Sequence, residues 1–337
     1  MISSELAYTI MIKTFKVTDT INGTANALVR GEIECTFVQF PIIQFFFEKP
    51  LQPPTVKTLC AVTGMMSGAV SQAVDQLVRD GLLMPVPGER RSSRFQATEK
   101  LLTTREKAQR HFFAMMDAMR SWRHIPPEDE AVARDFFIKL AASRIGCENN
   151  VMKQPSDLSV PGLIPLDESC RTDLENIPGW MQGLHFTTNL RRPVLLHYYG
   201  RRGRMTVAKL KILNLLIILS YRDLPPPTVK ELAARCHVSS GAISQTLDSL
   251  CQEGMVERLQ SPLDRRVIQV RLSQLGLRLR RQSMAACTKF MMNILENEPP
   301  EHVVVIERML DWTLEFLRTD GKQFLIRDEG DLLGNLV

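Results

Sequence analysis

The hexad Ser-Gly-Ala-x-Ser-Gln occurs twice, beginning at Ser67 and at Ser240. If each copy opens a helix, its first, second, fifth and sixth residues share one face, because residues three or four apart are neighbours on a helix. A glutamine amide on that face presents a donor beside an acceptor, the pattern that matches N6 and N7 of adenine. Serine hydroxyls can bond base edges or phosphates, and an alanine methyl can meet the thymine methyl. The candidate base readers are Ser67, Gly68, Ala69, Ser71 and Gln72 in the first copy. In the second they are Ser240, Gly241, Ala242, Ser244 and Gln245. Asp75 and Asp248 complete the two outward faces. A glycine in a helix costs about 1 kcal/mol relative to alanine, which is tolerable where the backbone must approach a ligand surface closely. The plainer alternative is a polar, solvated face on a structural helix. Retention of the hexad in both copies while neighbouring residues drift favours reading.

A second chemistry lies some twenty residues downstream of each hexad. Arg90, Arg91 and Arg94 follow the first, and Asp264, Arg265 and Arg266 follow the second. Paired arginines suit a minor groove or its flanking phosphates, and Asp264 can orient an arginine through a charge-assisted bond. In ungapped register Asp264-Arg265-Arg266 faces Arg91-Ser92-Ser93. The first copy is therefore expected to lack the acidic residue and to grip a backbone differently. A third basic cluster, Arg191, Arg192, Arg201, Arg202 and Arg204, suits either phosphates or a solvated turn.

These residues need elements to hold them, and the chain writes those elements twice. Between Thr55–Gly81 and Thr228–Gly254, 13 of 27 positions are identical without a gap, at a constant offset of 173. Pro126-Pro127-Glu128 and Pro299-Pro300-Glu301 keep the same offset. Each copy predicts an apolar helix (about 34–48 and 206–221), a proline break, and a short helix N-capped by Thr55 or Thr228. The hexad helix follows, with Val70, Val74 and Leu77, or Ile243, Leu247 and Leu250, as its buried stripe. Gly81 and Gly254 stand where a helix C-cap glycine belongs. Two short strands then flank a charged tip, LLMPVP and RFQAT in one copy, MVERLQ and VIQVRLS in the other. Long helices follow at about 99–124, 126–146, 273–296 and 300–318. The Met- and Phe-rich stretches 111–119 and 289–295 read as inter-helix core.

The predicted fold class is mainly α with small β wings: two tandem winged helix-turn-helix domains with long helices after each wing, which the family resemblance given below implies are joined by a helical, dimerisation-like bundle. The expected boundaries are 1–146 for the first domain, 147–179 for a proline-containing linker, 180–318 for the second domain and 319–337 for a tail.

At 337 residues, 44% hydrophobic and 23% charged, the chain has the composition of a soluble globular protein with room for two cores. A formal net charge of +5 favours an anionic partner. The apolar runs are too short to cross a bilayer and the N-terminus lacks the pattern of a secretory leader, so a cytoplasmic protein without membrane attachment is expected. Seven scattered cysteines without a CxxC pair, and histidines without ligand spacing, predict neither disulfide framework nor metal site nor cofactor. No nucleophile elbow, metalloprotease motif or phosphate-binding glycine loop points to an enzyme.

The stretch TVKELAARCHVSSGAISQTLDSLCQEGMVER, with Asp264-Arg265-Arg266 and then Leu272-Ser273-Gln274-Leu275-Gly276, resembles the multiple-antibiotic-resistance regulator (MarR) family of transcription factors. The similarity covers about 180–318 in full and 10–146 more weakly. It implies a partner in double-stranded DNA, and two winged domains straddling it from a bundle of intertwined terminal helices. Here one chain carries both domains, which implies an intramolecular pseudo-dimer on a pseudo-palindromic site. The family also implies room for a small-molecule effector between bundle and winged domain. The alternative is a protein-interaction scaffold whose winged helices no longer read DNA, since neither reading face carries arginine.

Overall fold

The computed structural model describes residues 2–36, 39–63, 65, 67–87, 94–142, 207–220, 225–236, 240–261 and 266–325. The chain opens with α1 (Ser4–Glu32), a 29-residue helix. The Ser3 hydroxyl caps it by accepting from Leu6 N at 3.1 Å, and Glu5 and Arg30 lie at the ends that favour their charges. Its buried face runs Ala7, Ile10, Met11, Thr14, Val17, Thr18, Ile21, Ala25 and Val29. Thr14 and Thr18 donate their hydroxyl protons to the carbonyls of Ile10 and Phe15, so neither buried group is left unmade.

The first apolar helix, α2, spans Phe40–Phe47 and starts six residues later than the expected 34. Pro41 sits in its first turn, where the missing N–H costs nothing. Just before it, Thr36 N donates to Gln39 Oε1 at 2.6 Å and Gln39 N to Thr36 Oγ1 at 3.4 Å, a reciprocal turn that replaces the anticipated helix start.

The helix-turn-helix of the first half is α3 (Val56–Thr63) and α4 (Ser67–Arg79), followed by strands β1 (Leu83–Pro85) and β2 (Phe95–Ala97). The long helices α5 (Glu99–Arg123) and α6 (Pro127–Ala142) complete it. The second half repeats the order: α7 (Val207–Ser220), α8 (Val229–Cys236), α9 (Ser240–Gln252), β3 (Val256–Gln260), β4 (Ile268–Leu272), α10 (Gln274–Leu295) and α11 (Pro300–Arg318). A 3-10 turn, Asp320–Phe324, ends the described chain. Both wings are antiparallel two-stranded ribbons. Each gains a bridge from the proline break ahead of the short helix, Thr55 to Arg94 and Thr228 to Gln269.

The core is divided unevenly. Residues of α7 to α10, from Ile212 to Leu279, close a core of their own in the second winged unit. The core of the first winged unit runs on without a break into the bundle, through α1, α5 and α6 to Cys287–Leu317 of α10 and α11. Its largest fully buried side chains, Phe112, Phe136, Phe290 and Phe316, come from both halves. Helix α1 lies against α10 and α11, and α6 lies against α11. Lys13 bridges Glu307 and Asp311, each at 2.8 Å, and Arg123 meets Glu315 at 2.7 Å. Lys139 with Glu298 and Asp129 with Arg308 add two further ties between the halves. Burial pulls the Lys13 ammonium down, but the two carboxylates outweigh it and hold it above its ordinary value.

Candidate nucleic-acid interface

Both hexads lie at the N-termini of helices, α4 and α9, and their predicted outward residues face solvent. Ser67, Gly68 and Gln72 are exposed, as are Ser240, Gly241 and Gln245; Ala69, Ser71 and Ser244 are half-buried. The predicted stripes Val70, Val74 and Leu77, and Ile243, Leu247 and Leu250, are fully inside. Burial of one face fixes the other outward; no further device is needed to aim Gln72 and Gln245.

Three local features hold the helices alike. Thr55 Oγ1 accepts from Thr58 N and Thr228 Oγ1 from Glu231 N, both at 3.1 Å, which starts α3 and α8 at matching points. In the second half Glu231 returns a bond to Thr228 N at 2.6 Å, making a full capping box. At the other end Gly81 and Gly254 adopt φ of 68° and 69°. Leu82 N reaches back to Leu77 O, and Met255 N to Leu250 O, each at 2.9 Å, closing a Schellman turn. The Gly81 and Gly254 carbonyls then accept hydroxyl protons from Thr98 and Ser273, at 2.7 and 2.5 Å. Each hexad helix is thereby pinned to the start of the long helix that enters the bundle.

A buried arginine makes a second joint. Arg105 of α5 donates to Phe47 O at 2.6 Å, at the C-terminus of α2. Burial lowers its guanidinium from the ordinary value. Arg280 of α10 does the matching job, donating to Ser220 Oγ at 2.6 Å at the end of α7.

The strand registers bear on the expectation about the wings. Leu83 pairs with Ala97 and Val256 with Leu272. The first strands therefore keep the offset of 173, whereas the second strands are offset by 175. The second hairpin is two residues longer. Carried back from the second strand, the offset of 175 sets Pro262, Asp264, Arg265 and Arg266 opposite Pro87, Glu89, Arg90 and Arg91. In that register an acid followed by two arginines stands in both halves, and the ungapped pairing with Arg91-Ser92-Ser93 does not extend to the returning strand; the tip residues themselves lie outside the described residues. The signal was missed because α5 and its turn are two residues longer than their counterpart, which restores 173 by Pro126.

Of the wing candidates, Arg90, Arg91, Asp264 and Arg265 lie outside the described residues, as do Arg191, Arg192, Arg201, Arg202 and Arg204. Arg266 begins the return to β4. Arg94 stands at the wing's root, where its guanidinium reaches Gln52 Oε1 and Pro53 O, each at 3.4 Å. It holds the sheet to the proline break rather than projecting from the tip.

One difference between the halves was not anticipated. Arg258 on β3 pairs with Asp248 at 2.8 Å and donates to Ser244 O at 3.2 Å, tying α9 to its wing. The first half has Pro85 at that place, which offers Asp75 no charge to pair with. Asp248 thus anchors α9 to β3.

Among the described residues, Cys35, Cys60, Cys236, Cys251 and Cys287 form no disulfide. Burial pushes Cys35, Cys60 and Cys251 up, away from the reactive thiolate. No group of metal-ligating side chains occurs there, and no helix of that set is long and apolar enough to cross a membrane.

The MarR family model matches residues 203–268. Over 117 residues the chain is 31% identical to the HTH-type transcriptional repressor YetL of Bacillus subtilis, a match that spans 35% of this chain and 68% of YetL. Wild-type MarR from E. coli, in its apo form, aligns over 39% of this chain and 93% of its own at 26% identity, with a TM-score of 0.29. FabT from Streptococcus pneumoniae, solved in complex with DNA, aligns over 40% and 94% at 19% identity, with a TM-score of 0.30.

Proposed function

The chain belongs to the MarR family, and from that premise we propose that it is a transcription regulator that binds double-stranded DNA as a single-chain pseudo-dimer. The observation that carries the proposal is the matched pair of exposed hexads, each held by the same Schellman turn and the same arginine joint. Gln72 and Gln245 read adenines in two successive major-groove faces, with the serines beside them on bases or phosphates. Glu89-Arg90-Arg91 and Asp264-Arg265-Arg266 grip the backbone on the outer flanks, and much of the affinity comes from such salt-sensitive contacts. The binding site is a pseudo-palindrome with half-sites about one helical turn apart.

Selection of bound duplexes from a random pool tests this directly, and should return two similar half-sites in inverted orientation. Replacing Gln72 and Gln245 together with alanine should then lower discrimination between selected and random DNA. Each bidentate amide contact is worth about 1–3 kcal/mol, so the loss should reach at least tenfold. Unchanged discrimination would reject the assignment. A protein-interaction scaffold would instead show little DNA binding at any salt concentration, whereas a DNA reader loses affinity steeply from low to moderate salt.

A further inference from the structure

The two hexad helices present nearly the same outward residues, yet they are not held alike. Helix α9 has charged ties at two places. Arg258 of β3 lays its guanidinium along one turn of it, on the Asp248 carboxylate and the Ser244 carbonyl. That bond bears on the backbone one residue from Gln245. Lys209 of α7 meets Glu253, just past the end of the helix, and Ser249 donates its hydroxyl proton to the same carboxylate oxygen at 3.2 Å. The Lys209 and Glu253 side chains are only 8% and 13% exposed. Parting such a pair leaves a desolvated charge behind, so it resists opening in a way that a surface pair does not.

Helix α4 has neither tie. Pro85 stands in the place of Arg258 on the first strand of the wing. At the offset of 173, Thr36 in the turn before α2 takes the place of Lys209. The polar side chains of α4 bond along the helix itself, Gln76 to Asp80 at 2.8 Å and Arg79 to Gln76 at 3.2 Å. Among the described residues, side chains of α5 reach it past its last turn, Lys100 at the Asp80 carbonyl and Thr98 at the Gly81 carbonyl. Along Ser67–Arg79 its hold on its neighbours is apolar, through Val70, Ala73, Val74 and Leu77. Apolar contact is non-directional and lets a helix roll or slide a little, whereas directed, charge-assisted bonds fix its position.

We propose that Arg258 and Lys209 are positioning residues that make α9 the stringent reader of the pair and leave α4 the tolerant one. The proposal rests on the DNA-binding reading above. A helix held to one geometry cannot relax around a wrong base, so a mismatch removes the whole contact; a helix that can shift recovers part of it. In one chain facing two similar half-sites this has a consequence that two identical readers lack. The chain can sit on a pseudo-palindrome in either orientation, and a site with one defective half is bound with α4 over the defect. One defect then weakens binding little, and a second, which α9 must meet, weakens it far more.

The test uses the full chain and the duplex selected from a random pool, with the contacted adenine changed to guanine in one half-site, in the other, or in both. One change should weaken binding less than about fivefold in whichever half it lies, and the second should add a factor of at least about ten. Arg258→Met keeps the bulk of the side chain without its charge, at a site where the pair is partly exposed. It should bring the second factor down toward the first. Lys209→Met combined with Glu253→Gln, which leaves no charge unpaired, should do the same. Pro85→Arg, at an exposed strand position, gives Asp75 a cation and should raise the first factor toward the second. In the free protein, amide exchange along α9 should be slower than along α4, and should rise toward it in Arg258→Met. Equal factors in the wild type, factors unmoved by Arg258→Met, or equal exchange along the two helices would each overturn the proposal. A chain that retains no duplex in the selection overturns instead the DNA-binding reading, and the proposal with it.

Discussion

At the scale of single residues, the paired tips, Glu89-Arg90-Arg91 and Asp264-Arg265-Arg266, carry the clearest consequence. With the strand registers aligned, both halves have an acid followed by the same two arginines, so both wings should contribute equally. Replacing Arg90 and Arg91 with alanine should reduce the slope of log affinity against log salt by about 1 for each phosphate no longer held. Replacing Arg265 and Arg266 should do the same by a similar amount. Markedly unequal slopes would show that the tips differ despite their sequence. Glu130 gives a prediction in pH. Arg120 holds its carboxyl below the ordinary value of 4.5, so the pair stabilises the fold above 4.5 and is lost as pH falls through the depressed value. The difference in Tm between the wild type and Glu130→Gln should be full at about pH 6 and shrink toward zero below about pH 4.

At the scale of elements, the C-cap glycines can be tested in isolation. Alanine at Gly81 or Gly254 must adopt a φ deep in the left-handed region, at a strain of about 1 kcal/mol or somewhat more. Chemical denaturation should show that loss at either site, and Gly254→Ala should fall mainly on the core of the second winged unit. The helix-turn-helix elements were legible because their signals are local: a 3.6-residue apolar period, a threonine at the start and a glycine at the end. The wing register was not legible, since two opposite length changes cancel and leave the offset at 173 on both sides. Helix α1 was also hidden. Threonines punctuate its buried face, which weakens the apolar period, and its partners lie almost three hundred residues away. Arg258 escaped notice for a related reason, because a charge pair across a helix and a strand leaves no spacing pattern.

At the scale of the whole molecule, the two halves share one bundle, and the proposed reading then fixes a stoichiometry. Binding to the selected duplex should follow one chain per site, with an isotherm independent of any monomer–dimer equilibrium down to the lowest usable concentration. Sedimentation of the complex checks this, and two chains per duplex would reject the single-chain arrangement. The division of the core has another consequence. The second winged unit closes upon itself within residues 212–279, whereas the apolar face of α1 packs chiefly on α10 and α11. Synthesis proceeds from the N-terminus, so α1 emerges long before the helices that cover it. Pairings as distant as Lys13 with Asp311 are slow to form, and apolar surface left waiting is prone to association. The nascent first half should therefore depend on shelter until α10 and α11 leave the ribosome, and a message truncated before α11 should yield an aggregate, checked by the soluble fraction on expression, rather than a half-active regulator.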